Sequence, residues 1–72
     1  MNNEKFIEFR KNIGWIQAKL GKFLGVSDRQ VRHIEHGKRG ISPGVENMLK
    51  IAKLLRTKYP KIWQEICDEL EV

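Results

Sequence analysis

The chain has one cysteine, Cys67, among 72 residues, only two prolines, and no long apolar run. Each scarcity excludes something. A single thiol cannot close an internal disulfide, so nothing argues for an oxidising compartment. A membrane-crossing helix needs about 20 consecutive apolar residues, and no stretch approaches that. No apolar signal segment opens the sequence, and a cytoplasmic location is the expectation. Strand patterns, repeats and low-complexity tracts are missing as well. So are a phosphate-cradling glycine loop, a nucleophile elbow and a paired acidic motif; the glycines are dispersed at helix ends. No enzyme and no cofactor is expected. His33-x-x-His36 has a spacing seen in metal sites, but no second ligand pair accompanies it, so no metal is expected either.

Acidic residues are scarce in the middle of the chain. Residues 10 to 61 hold thirteen Lys or Arg against Asp28, Glu35 and Glu46, a net of +10, while the two ends together carry a net of −5. A basic centre is what a polyanion-binding face requires, because phosphate contacts and counterion release supply much of nucleic-acid affinity. With 40% hydrophobic and 32% charged residues the chain is neither disordered by composition nor membrane-embedded. Residues 1–72 form one domain, near the size where a single core is only marginally sufficient.

Spacing predicts five helices, an all-α fold. Asn2 or Asn3 caps a first helix running to about Ile13, with Phe6, Phe9 and Ile13 on one face and Gly14 as its stop. A second covers about Gln17 to Leu24, burying Leu20 and Leu24, with Gly21 small enough for a neighbouring helix to approach. A third covers Asp28 to His36, with Val31 and Ile34 inward, and Gly37 stops it. Ser42-Pro43 opens a fourth, to about Lys58, whose stripe of Val45, Met48, Leu49, Ala52 and Leu55 is widened by Ile51 and Leu54. Tyr59-Pro60 breaks it. A fifth runs from about Lys61 to Leu70, with Ile62, Ile66 and Leu70 on one line and Trp63 and Cys67 flanking. Residues 1–58 are the expected core and residues 59–72 a candidate dimerisation element, with Tyr59, Ile62, Trp63, Ile66 and Leu70 as its candidate contacts.

The junction of the second and third helices is the most informative stretch. Gly25 can adopt the left-handed conformation of a tight helix stop, Val26 is an apolar plug, and Ser27-x-x-Gln30 is a capping box. Gln17-Ala18, Leu20, Gly21, Gly25-Val26-Ser27, Val31, Ile34-Glu35 and Gly37-Lys38 together resemble the lambda repressor/Cro-like, or XRE-type, helix-turn-helix family. The likeness covers roughly residues 6 to 55. It implies that the helix from Asp28 to His36 lies in the major groove of DNA while the second helix crosses the backbone. It also implies a structural pair between Arg10 and Glu35 that fixes the angle of the recognition helix. Two positions depart from the family's pattern. Ile16 stands where a capping Ser, Thr or Asn is usual, and Phe23 where a polar residue is usual.

By this resemblance Ser27, Asp28, Arg29, Arg32 and His33 are the base-reading candidates. Arg29 stands out, since its planar fork can donate two hydrogen bonds to guanine O6 and N7. Asp28 complements the helix dipole, and can also accept from cytosine N4 or steady Arg29. Gln17, Lys38 and Arg39 are candidates for phosphate contacts, which position the protein without reading sequence. Lys19 and Lys22 are expected to be solvated charges.

These features point to a sequence-specific reader of double-stranded DNA. The expectation is an autoregulatory repressor binding an inverted-repeat operator as a homodimer, with no membrane and no small-molecule ligand. A chain with little beyond this domain resembles phage- or mobile-element-encoded regulators. The competing expectation is a protein-interaction module, such as an antitoxin, whose basic face meets a protein partner.

Overall fold

A computed structural model describes residues 1–70. Its elements are α1 (Asn3–Ile13), α2 (Gln17–Leu24), α3 (Asp28–Glu35), α4 (Pro43–Lys58) and α5 (Pro60–Glu69). Helices make up 76% of the described residues, and no strand occurs among them, so the fold is all-α.

The helix ends follow from their capping residues. Asn2 caps α1, Ser27 caps α3 and Ser42 caps α4, each side chain accepting a hydrogen bond from a backbone N–H three residues on. At Ser27 the box is complete, with the Ser27 N–H donating in turn to Gln30 Oε1 at 3.1 Å. Ile16 at the head of α2 makes no side-chain cap, as its residue type dictates. Gly25 closes α2 at φ +76°, where an L side chain is strained.

The core is Phe6, Trp15, Leu20, Val31, Ile34, Leu49, Ala52 and Trp63. The four largest that lose essentially all solvent contact are Phe6, Leu20, Val31 and Leu49, each contributing about 1.5–3 kcal/mol of burial. Gly21 is buried for a reason more local than a neighbouring helix. A Cβ there would lie 2.7 Å from Val26 O and 3.3 Å from Ser27, so it is the backbone of the turn itself that needs the space.

The second half of the chain differs from the sequence reading in two places. Ile51 and Leu54 are about half exposed and do not widen the buried stripe of α4. At about 100° per residue, Leu49 and Ala52 face inward and the positions two residues on swing to the far side. In α5 the packed line is Trp63, Ile66, Cys67 and Leu70, with Ile62 turned outward. The indole of Trp63 decides that rotation, because it is the largest apolar group on the helix and finds a ring partner in Trp15.

Candidate nucleic-acid interface

α3 is held at its C-terminal end and free along its outer side. Glu35 is 7% exposed, the one charged residue buried among those described. Arg10 Nε donates to its Oε2 at 2.6 Å and Arg10 Nη2 to its Oε1 at 3.1 Å. Gln17 Nε2 adds a third donor to Oε1 at 3.1 Å, and Asn3 Nδ2 donates to the Glu35 carbonyl at 3.3 Å. A buried carboxylate held by a bidentate guanidinium and an amide is satisfied, so α1 and the head of α2 both grip the end of α3.

The outer side presents Ser27, Asp28, Arg29 and Arg32, all exposed, and His33, half-buried. Asp28 reaches Arg32 at 3.6 Å rather than Arg29, a pair one turn apart with both side chains about half exposed. In that setting the pair contributes little stability, but it biases where the Arg32 guanidinium sits. Among the described residues the Arg29 side chain has no hydrogen-bond partner, and its fork is free for a ligand. Ser27 Oγ accepts the Gln30 N–H at 3.1 Å and keeps its own hydrogen to donate.

Gln17 is half-buried, and one N–H of its side-chain amide is committed to Glu35, which leaves the second N–H and the uncapped N–H groups of α2's first turn. That second N–H and the backbone amides are the donors this end of α2 offers an anion. Lys38 and Arg39 are exposed in the loop after α3, where Gly37 turns the chain at φ +73°. Among the described residues no three His, Cys, Asp or Glu side chains gather as metal ligands would.

Three side chains have places the sequence did not supply. Phe23 meets Trp15 at 5.5 Å and Trp63 at 5.9 Å between ring centroids, edge-on to both, which answers why an aromatic stands at a usually polar position. Lys19, expected as a solvated charge, has its ammonium 5.4 Å from the Trp15 ring centroid, a cation–π contact. Asn3 ties α1 to the last carbonyl of α3. The signals available were two tryptophans in so short a chain and an aromatic on a polar face; for Asn3 there was none. His36 is exposed at the end of α3, and of the candidate dimer contacts Tyr59 and Ile62 are exposed while Trp63, Ile66 and Leu70 pack against the core.

A model of the helix-turn-helix family matches residues 6–62, most of the chain. The chain belongs to the lambda repressor/Cro-like, XRE-type helix-turn-helix family. That family is one of DNA-binding regulators, so this helix-turn-helix protein is a DNA-binding regulator. No curated protein and no solved structure matches it. No helix among the described residues is long and apolar enough to cross a membrane.

Proposed function

We propose that this regulator is a cytoplasmic repressor that reads an inverted-repeat operator as a homodimer, laying α3 in the major groove and acting on its own gene. The observation that carries this reading is the division of α3 into a pinned inner side, ending at Glu35, and an outer side on which Arg29 and Arg32 are exposed. Arg29 is the principal base reader, with a bidentate guanine contact worth about 1–3 kcal/mol of discrimination. Ser27, Asp28, Arg32 and His33 flank it. Lys38, Arg39, the second N–H of the Gln17 amide and the open backbone amides at the head of α2 take phosphates on either side.

A homodimer is supported by exposed apolar side chains that the core does not use: Ile51 and Leu54 on α4, Tyr59 at the junction and Ile62 on α5. α5 opens with Lys61 and closes with Glu65, Asp68 and Glu69, so two copies packed antiparallel place unlike charges opposite one another. Two recognition helices about one DNA turn apart then give the specificity that one small module lacks.

Footprinting on DNA flanking the gene tests the reading, with Arg29→Ala/Arg32→Ala beside the wild type. The double variant keeps its helicity and loses the protected half-sites, and wild-type affinity falls steeply as salt rises from about 50 to 200 mM. Selective protection retained by the double variant would sink the recognition-helix assignment. Leu54→Glu, on an exposed site, gives monomers in sedimentation while the fold persists; dimers at unchanged affinity would remove α4 from the interface.

A further inference from the structure

α5 contributes no candidate DNA contact, yet its largest side chain touches the segment that carries one. Trp63 stacks on Trp15 with centroids 5.2 Å apart and planes inclined by 14°, and Phe23 seals the pair edge-on. Both indoles are more than nine-tenths buried. Trp15 lies in the connection between α1 and α2, two residues before Gln17. Its backbone is tied at both polar groups to one residue: the Trp15 N–H donates to the Arg10 carbonyl at 3.3 Å, and the Trp15 carbonyl accepts from Arg10 Nη1 at 3.0 Å. The same guanidinium holds Glu35.

Ile16, the residue between Trp15 and α2, adds no fastening, being 60% exposed and capping nothing. The position of α2's open first turn is therefore set by the Trp63 ring on one side and, on the other, by Arg10 and by the Gln17 amide on Glu35. We propose that Trp63 is a positioning residue for DNA binding: through the Trp15 ring it holds the head of α2, with its phosphate-facing amides, in register with the pinned end of α3. The inference rests on the DNA-reading orientation proposed above and deepens it by assigning α5 a part within each protomer, separate from any contact between protomers. A phosphate contact made by rigid backbone amides is sensitive to a small displacement of the helix that carries them. A core residue that only stabilised the fold would leave those amides in place for as long as the protein stayed folded.

The test uses the whole chain and a duplex carrying one half-site from the footprint, so that loss of dimerisation cannot enter. Binding is measured for the wild type, Trp63→Phe, Trp63→Leu and Arg29→Ala, well below each melting temperature. Ethylation of single phosphates locates the contact made by α2. Trp63→Leu, folded by far-ultraviolet circular dichroism, should bind about five- to tenfold more weakly, and Trp63→Phe should fall between it and the wild type. Ethylation at the α2 phosphate should cost the wild type severalfold and Trp63→Leu much less, because the contact is already lost. The two indoles are the only ones in the chain, so the near-ultraviolet signal of their stack reports its loss directly. If folded Trp63→Leu binds the half-site as the wild type does, or suffers the full ethylation penalty, the positioning role is overturned. Should Trp63→Leu fail to fold, Trp63→Phe decides by the same ethylation comparison, an unchanged penalty again overturning the proposal. Arg29→Ala separates the two claims: if it binds as the wild type, the DNA-reading assignment fails and this inference with it, whereas a weakened Arg29→Ala beside an unaffected Trp63→Leu removes the inference alone.

Discussion

In the α2–α3 unit the deciding contacts are between near neighbours in the chain. Gly21 leaves room for the Val26 carbonyl, Ser27 and Gln30 exchange two hydrogen bonds, and Gly25 supplies the one backbone conformation that reverses the direction. The α4–α5 pair is placed by partners far away in sequence. Trp63 rests on Trp15, and Arg56 Nη1 donates at 3.2 Å to Asn12 O at the end of α1. The difference separates two sources of order. Local chemistry shapes the reading motif, and long-range contacts set where that motif stands. Arg10–Glu35 is where the two meet, since its carboxylate belongs to α3 and its guanidinium to α1.

If long-range anchoring contributes more stability than the local turn, breaking an anchor must cost more than damaging the turn. Arg10→Ala leaves Glu35, 6% exposed at its side chain, facing only the Gln17 amide, and should lower unfolding stability by about 3 kcal/mol or more in urea titration. Replacing both partners by apolar groups, Arg10→Met with Glu35→Leu, should recover most of that loss, because no uncompensated charge remains buried. A cost for Arg10→Ala below about 1 kcal/mol, the range of exposed ion pairs, would mean that water reaches the pair, and the comparison would break.

The same division explains what the sequence made legible. The boundaries of Asn3–Ile13 and Pro43–Lys58, and the end of Gln17–Leu24, follow from capping residues and glycine or proline stops, whose effects act within a turn or two. The outward set Ser27, Asp28, Arg29 and Arg32 follows from the helical period once Val31 and Ile34 face the core. The rotation of α5 did not follow. Ile62, Trp63 and Ile66 are all apolar, and only the ring facing Trp63 selects among them. Nor did the commitment of the Gln17 amide to Glu35, or the pairing of Asp28 with Arg32 rather than Arg29, because each depends on where a flexible side chain finds its partner in space. Ile51 and Leu54 read as core for a related reason: an apolar residue at the margin of a stripe has the same sequence signature whether it meets the core or solvent.

Within the turn, Gly25→Ala meets no atom within 4 Å but must hold φ near +76°, so its cost is backbone strain alone. That should amount to about 1–2 kcal/mol of unfolding stability. A loss exceeding that of Arg10→Ala would place the local turn above the long-range anchor and reverse the ranking.

The smallest effect should be a gain. Ile16 is 60% exposed at the head of α2 and leaves the first-turn amides without a side-chain acceptor. Ile16→Ser removes little buried surface and offers an oxygen to the N–H of Ala18 or Lys19, so the melting temperature should rise by the equivalent of about 1 kcal/mol. A serine satisfies only one of those amides, leaving the others open to a phosphate. Half-site affinity should therefore change less than the stability does. A stabilised variant that lost DNA binding would show that the amide taken by the serine is the one the phosphate needs, and that this chain has traded a local cap for a stronger grip on the backbone.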